Sequence, residues 1–253
     1  MTTPARVADA SRYTVVHDDC MRFLAGLPDQ SVDVITTDPA YSGMNRHLML
    51  GRGRIVGRYR DAGEPGSAWF AEFADDPDAF RALLRELHRV LRDDRHVYIM
   101  FDSFSLLTLG HIVREVFDVK NLIVWDKVNL GMGHHFRRRF ELIVFATKGR
   151  RRLSRRDLQD VWSVKRLYRT AYPTQKPVAL FERMLEGSIE PGFTVCDPFT
   201  GAGSSAVAAL RHGCSFTGCD VSPRAVELTT ERCAAFLATG RDPLEEATVR
   251  GAR

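Results

Sequence analysis

The sequence predicts an α/β fold with a doubly wound, mostly parallel sheet, on three observations. Short β-branched runs alternate with helical stretches along most of the chain. Two strands stop at an acidic residue followed by a turn, at Asp38 and at Asp197, and the second turn is glycine-rich. Two later strands, Asn121–Trp125 and Phe140–Thr147, are joined by a loop too short for a right-handed crossover, so they must be antiparallel neighbours.

The elements follow in order. "YTVVH" (Tyr13–His17) and "VDVITT" (Val32–Thr37) are strands separated by the helix "CMRFLAGL". "DAFRALLRELHRVLRDD" places Phe80, Leu83, Leu84, Leu87, Val90 and Leu91 on one helical face. The strand "HVYIMF" (His96–Phe101) and a helix through "LLTLGHIVREVF" precede the antiparallel pair. A basic stretch leads to a helix from Pro177, the strand "FTVCD" (Phe193–Asp197) and the helix "SSAVAALRH". The strand "SFTGCD" (Ser215–Asp220) and a helix from Ser222 complete the pattern. Residues 240–253 lack apolar periodicity and read as a loose tail.

The 253 residues suit one α/β domain or two small ones, and 44% hydrophobic with 27% charged residues is ordinary for a soluble globular protein. No run is long and apolar enough for a membrane span, and a cytoplasmic protein is expected. The five cysteines, Cys20, Cys196, Cys214, Cys219 and Cys233, show no paired spacing and read as reduced core thiols. His134 and His135 have no carboxylate or thiol at ligand spacing, so no metal is expected. The net charge is only +4, but residues 120–176 hold 15 Lys and Arg against 4 Asp and Glu. Met44–Arg60 adds five arginines without an acid. Two basic blocks point to a polyanionic partner.

"VCDPFTGAGSS" is strand, tight turn and helix. Gly201 and Gly203 let the backbone approach a ligand, and the helix behind them presents free N–H groups. Asp220, 23 residues after Asp197, is spaced to accept hydrogen bonds from ribose hydroxyls. Alone, this turn is no more telling than the Asp-Pro turn at Asp38.

In combination, "DPAY" after a strand, "YPTQKP" before a helix, and "DPFTGAGSS" followed by "GCDVSP" resemble the amino-methylating DNA methyltransferases. The catalytic tetrapeptide precedes the cofactor half, as in the permuted beta class. "HDDCMRFLAGLPDQSVDVITTDPAY" looks like that family's opening, and the resemblance spans roughly Tyr13 to Arg232. It implies a seven-stranded, Rossmann-like methyltransferase sheet with one antiparallel edge strand, and S-adenosylmethionine as cofactor. It also implies one catalytic domain: a catalytic half over 13–149, a short basic target-recognition segment over 150–172 and a cofactor half over 173–239. The basic loop 43–60 would share in DNA binding. Asp197, Phe199, Gly201, Gly203 and Ser204 would line the cofactor, with Asp220 on the ribose. Asp19 and Cys20 would lie by the adenine ring, and Gln175 and Lys176 near the methionine end.

The implied catalytic residues are Asp38, Pro39 and Tyr41. The exocyclic amine of a base is a poor nucleophile because its lone pair is delocalised into the ring. The Asp38 carboxylate and the Pro39 carbonyl would accept its two hydrogens and localise that pair, while Tyr41 stacks on a base taken out of the duplex. Ala40 stands where the family has a second proline, which loosens the turn. The implied DNA contacts are Arg46, Arg52, Arg54 and Arg58 in the first basic block, and Arg137, Arg138, Arg139, Arg151 and Arg152 in the second.

Asp38, where many cytosine-N4 enzymes of this group carry serine, favours adenine-N6, with cytosine-N4 as the alternative. Protein glutamine methylation uses a similar turn but the opposite motif order. A silent DNA-binding module would be told apart by cofactor binding. Double-stranded DNA is the expected partner, and the resemblance leaves room for a homodimer and a cognate restriction endonuclease.

Overall fold

The structure is a computed structural model that describes residues 12–39, 41, 76–131, 135–168, 170, 172 and 175–245. Ala40 and the first basic block, with Arg46, Arg52, Arg54 and Arg58, lie outside the described residues, as does His134.

Strand β1 is Tyr13–His17, helix α1 Cys20–Ala25 and β2 Val32–Thr37. Helix α2, Pro77–Val90, runs directly into β3, Leu91–Phe101, followed by α3, Ser103–Val116. Strand β4 is Asp118–Asp126, β5 Phe140–Lys148 and β6 Val161–Ser163. Helix α4, Val178–Leu185, leads to β7, Thr194–Asp197; α5, Ser204–Arg211, leads to β8, Ser215–Asp220; and α6 is Pro223–Thr239.

The strands form one eight-stranded sheet in the order β1-β8-β7-β2-β3-β5-β4-β6. Among the described strands only β5 is antiparallel, to β3 on one side and β4 on the other. The doubly wound, mostly parallel sheet is the one expected, but it has an eighth strand. The three-residue β6 pairs in parallel with β4 through Val124↔Val161 and Trp125↔Trp162. The antiparallel strand β5 lies between β3 and β4, and not at the expected edge. Three residues flanked by charge carry no periodic signal, which is why β6 was not visible in the sequence. The α2–β3 boundary also differs. Leu91 continues the helical apolar pattern, yet it is the first residue of β3, paired with Val32. It is fully buried either way, so periodicity could not choose.

Alternation along the strands assigns two cores. Ile35, Val97, Ile99, Phe101 and Val144 face α1, α2 and α3. Val34, Tyr98, Met100, Ile143 and Phe145 face α4, α5 and α6. Helix α2 buries Phe80, Leu83, Leu84, Leu87 and Val90, each contributing about 2 kcal/mol. Its start is fixed by Asp76, whose carboxylate accepts from the Asp78 and Ala79 N–H groups. Strands β2 and β7 are adjacent, but β2 continues to a helix on one face and β7 to a helix on the other. The topology therefore switches between β2 and β7, the position at which sheets of this kind open a crevice at the carboxyl ends of the strands.

The opposite end of the same pair is locked by Asp33 on β2, whose side chain is 3% exposed. It accepts from Arg92 Nη1 at 2.8 Å with both oxygens, from Arg95 Nε at 3.1 Å and from the Thr194 N–H at 2.9 Å. Removing it would leave two guanidinium groups and a strand N–H without their acceptor. Asp33→Ala is expected to destabilise the protein by roughly 3 kcal/mol. A urea titration would show this as a lower midpoint with unchanged slope.

Candidate functional site

The site occupies the carboxyl ends of β2, β7 and β8. Asp38 follows β2 directly, with its side chain 26% exposed. Its Oδ2 is contacted by Lys176 Nζ, and Lys176 also lies 3.7 Å from Glu141 Oε2 on β5. Glu141 Oε1 in turn accepts from Lys127 Nζ at 3.0 Å. Asp38, Lys176, Glu141 and Lys127 therefore form a chain of alternating charge across the mouth of the crevice.

Burial raises Asp38 above the usual carboxylate range; Lys176 opposes this, and the nearby carboxylates of Glu141 and Asp102 add to it. For Lys176, burial works against the charge, but Asp38 and Glu141 outweigh it and hold the ammonium above its ordinary value. Glu141 is also disfavoured by burial, yet Lys176 and Lys127 together hold it below its ordinary value. So one ammonium is shared by two carboxylates, of which Glu141 is the more firmly ionised.

The Pro39 carbonyl accepts from the Tyr41 N–H at 2.9 Å, a tight three-residue turn that leaves the oxygen one further lone pair. Tyr41 lies in the core rather than on an open wall. It is 8% exposed, stacks on Phe101 at 5.0 Å with an interplanar angle of 11°, and meets Phe80 edge-on at 6.2 Å.

The glycine-rich turn is held from below. Asp197 is fully buried, with Oδ1 accepting from the Phe199 N–H at 3.0 Å and Oδ2 from Ser205 Oγ at 2.6 Å. It thereby braces the turn and the start of α5. Gly201 has φ +49° and donates its N–H to Asp220 Oδ2 at 2.8 Å. Gly203 has φ +77°, and a Cβ there would lie 2.7 Å from Thr229, so no other residue fits without strain. Ser204 Oγ donates to the Lys176 carbonyl at 2.7 Å, which ties the start of α5 to the residue that contacts Asp38.

Asp220 closes the other side. Its Oδ1 accepts from the Ser222 N–H at 2.9 Å, so backbone donors engage both oxygens. Burial raises its pKa, against which the Ser222, Gly201 and Val221 backbone N–H groups and the nearby His17 work. Asp18 donates its N–H to the Asp220 carbonyl at 3.2 Å, bringing the start of α1 to the site. There Asp19 caps α1 through the Met21 and Arg22 N–H groups, and Cys20 is buried in the core, its thiol pushed up to about 12 by burial. Gln175 is 9% exposed, and its buried Oε1 has no hydrogen-bond partner. An orphaned acceptor beside paired carboxylates and two positive-φ glycines fits a ligand with vicinal hydroxyls and an amine-bearing tail, such as S-adenosylmethionine.

Two supports were invisible in the sequence. Arg232 on α6 is fully buried, pairs with Asp242, and donates to the Ala202 carbonyl in the glycine-rich turn. Asp242 lies in the stretch expected to be loose. Residues 240–245 are instead anchored by this pair and by Arg211 with Glu245. Glu141 was missed for a similar reason: a single acid in a strand carries no motif.

The second basic block is split by β5. Phe140 pairs with Asp126 beside the carboxyl ends of the parallel strands, whereas Lys148 pairs with Arg95 near their amino ends. Arg137, Arg138 and Arg139 therefore lie on the site's side. Arg151 and Arg152 lie about 27 Å away, at the far end of the strand. Arg151 is engaged there by Glu190 at 2.6 Å and by the Phe193 ring. On the site side, Arg139 is held bidentate by Asp126 at 2.6 and 2.7 Å, Arg137 donates to the Gly131 carbonyl, and Arg138 stacks on Phe104. Beyond β6 the chain returns along this hairpin, with Arg166 over the Tyr168 ring, and Phe136 fully exposed nearby. Among the described residues, no group of three or more His, Cys, Asp or Glu is placed to hold a metal ion. No described helix is long and apolar enough to cross a membrane.

Burial pushes Asp197 up to about 7, against its hydrogen bonds from Ser205 and Phe199. A carboxyl raised in the folded state binds its proton there more tightly than in the unfolded chain. Its contribution is thus most favourable at low pH and is lost as pH rises from about 4 to about 7. Asp197→Asn, which keeps the shape and both hydrogen-bond partners, is expected to flatten the fall in stability between pH 5 and pH 8. Urea titrations across that range would measure it.

Comparison with known proteins bears on this geometry. Residues 32–231 match the sequence model of a family described as DNA methylase, of the N6/N4 methyltransferase type. A type II methyltransferase, M2.DpnII of Streptococcus pneumoniae, is 26% identical over 246 residues, covering 88% of this chain and 90% of the relative. The DNA adenine methyltransferase YhdJ of Escherichia coli is 25% identical over 269 residues, covering 90% and 85%. Among solved structures, the DNA modification methylase TTHA0409 of Thermus thermophilus, in complex with S-adenosylmethionine, shares the fold at a TM-score of 0.62 and 19% identity, covering 91% of this chain and 96% of that one. The PvuII cytosine-N4-specific DNA methyltransferase does so at a TM-score of 0.65 and 14% identity, covering 94% and 90%. With most of its length inside the family match, the chain belongs to the N6/N4 DNA methylases and is an S-adenosylmethionine-dependent DNA methyltransferase of the adenine-N6 or cytosine-N4 type.

Proposed function

We propose that the chain methylates the N6 amine of adenine, on a base extruded from double-stranded DNA into the crevice between β2 and β7. The observation that carries this reading is the placement of Asp38. Its carboxylate stands at the strand end beside the glycine-rich turn, with Lys176 linking the two. Asp38 in place of a serine favours adenine, and so does the 25% identity to a relative named as a DNA adenine methyltransferase.

S-adenosylmethionine, when bound, supplies a methyl group made electrophilic by its sulfonium. The remaining work falls to the protein. Asp220 holds the ribose hydroxyls through its carboxylate, and Gln175 offers its orphaned acceptor to the amine-bearing tail. Phe199, Gly201, Gly203 and Ser204 shape the turn against the cofactor, and Asp19 and Cys20 border its adenine. Lys176 carries two roles in this reading: it neutralises Asp38 in part and brings the cofactor half to the catalytic half. Asp38 Oδ1 and the second lone pair of the Pro39 carbonyl accept the two hydrogens of the target amine. The nitrogen lone pair is thereby withdrawn from the ring and aimed at the methyl, a gain in orientation as well as nucleophilicity. Arg137, Arg138, Arg139 and Arg166 with Tyr168 face the DNA backbone from the same end of the sheet.

Three outcomes test the reading. DNA from a host expressing the protein should contain N6-methyladenine; N4-methylcytosine in its place overturns the choice of base. Asp38→Ala should lower single-turnover methyl transfer by at least about a hundredfold, with DNA and cofactor affinities nearly unchanged. A parent-like rate would remove Asp38 from the mechanism. Asp220→Ala should weaken cofactor binding by roughly 1.5–3 kcal/mol in calorimetry, as for loss of charge-assisted hydrogen bonds. Tyr41→Ala is a poor probe of base stacking, because removing a buried ring also destabilises the core by about 3 kcal/mol; Tyr41→Phe preserves the ring and isolates the hydroxyl.

A further inference from the structure

The charge chain contains two members, Glu141 and Lys127, that neither the target amine nor the cofactor requires. Glu141 lies on β5, the antiparallel strand, and its carboxylate is 3.7 Å from Lys176 and 3.0 Å from Lys127. Asp38 is its rival for Lys176. No other cation contacts Asp38 in the described residues, and the remaining charged groups that act on it, Asp102 at the start of α3 and Asp197 at the end of β7, are both acids. Asp102 is occupied as a cap, accepting from the Phe104 and Ser105 N–H groups and from Ser105 Oγ. Lys176 is thus the one ammonium between two carboxylates, and the second of these has its own lysine behind it.

The reaction gives that arrangement a use. When the amine nitrogen gains the methyl group, it becomes cationic and must lose one N–H proton. The nearest acceptor is the carboxylate already hydrogen-bonded to that N–H. As the N–H bond breaks, an O–H bond forms on Asp38; the proton later leaves to water, and the carboxylate is restored. At that moment Lys176 loses the charge it was paired with, in a half-buried position where an unpaired ammonium is strongly disfavoured.

We propose that Glu141, backed by Lys127, is a positioning residue that retains Lys176 while Asp38 holds the amine proton. This rests on the reading of Asp38 as the acceptor of the target amine. Glu141 prevents Lys176 from pairing exclusively with Asp38 and so preserves Asp38 as a base; it then serves as the counter-ion once Asp38 is neutral. The directions of the pKa shifts agree, Asp38 lying above its ordinary value and Glu141 below.

The test is the pH dependence of single-turnover methyl transfer, at saturating DNA and cofactor, for the parent, Glu141→Gln, Glu141→Asp and Lys176→Met. Glu141→Gln removes a like charge from Asp38 and leaves it Lys176 undivided. The acid limb should move to lower pH by about one unit, and the plateau rate should fall about three- to tenfold. Glu141→Asp keeps the charge, so its limb should stay near the parent's. Lys176→Met should move the limb the other way, to higher pH, since burial then acts on Asp38 without its counter-ion. A Glu141→Gln protein with the parent's acid limb, or one slowed equally at every pH, overturns the proposal and leaves Glu141 a purely structural residue. Asp38→Ala, which removes the acceptor altogether, separates the two readings. If it methylates at the parent rate, the assignment of Asp38 fails; if it is inactive while Glu141→Gln behaves as the parent, only the role of Glu141 fails.

Discussion

Two neighbouring parallel strands, β2 and β7, send the chain to opposite faces of the sheet, and that divergence is the constraint on which the site depends. The next described helices after the two strands lie on opposite faces, and this switch in topology is where sheets of this kind open a crevice. Each strand delivers an aspartate there. Their surroundings give the two carboxyls different work. Asp38 remains partly accessible and meets a lysine, while Asp197 is enclosed and spends both oxygens on its own turn. The stability of the crevice is secured at the other end of the same strands, where Asp33 binds β2 to β3 and β7.

Lys176 joins what the topology separates. Its carbonyl is held by Ser204 at the start of α5, and its ammonium reaches Asp38. The two strand-end turns, far apart in sequence, are thereby linked by a side chain in addition to the β2–β7 pairing. A buried ammonium between two carboxylates is tolerable only because the charges alternate along the chain to Lys127. The arrangement also makes Asp38 responsive: its proton affinity depends on how Lys176 is shared with Glu141, and not on burial alone.

The basic surface follows from strand direction. An antiparallel strand reverses which end of the sheet its flanks reach, so the arginines before β5 and those after it lie at opposite ends. Those near the crevice are braced by Asp126, Gly131 and Phe104, which holds the hairpin in a defined shape beside the site. An anionic duplex meeting this end therefore meets an ordered array of cations. Arg151, packed with Glu190 and Phe193, stabilises the opposite end.

The alternation of strands and helices, the antiparallel pairing of β4 with β5 and the two strand-end turns were all legible in the sequence. Each is local: periodicity, loop length and turn chemistry are carried by residues close together in the chain. The same holds for Gly203, whose left-handed backbone only glycine adopts freely, and for Asp220 at its spacing after Asp197. What required the tertiary structure depends on distant residues meeting. The seat of β6 is decided by the edge that β4 offers it, and the burial of Tyr41 by Phe101 and Phe80. Asp242 is ordered because the buried Arg232 needs a counter-ion while it holds the Ala202 carbonyl. Asp38 and Lys176, 138 residues apart, meet only after the sheet has formed, and Glu141 joins them from a strand with no motif. Sequence pattern determined which residue types stand at the strand ends; which of them share a charge was decided by the sheet order, because Coulomb interactions act through space and not along the chain.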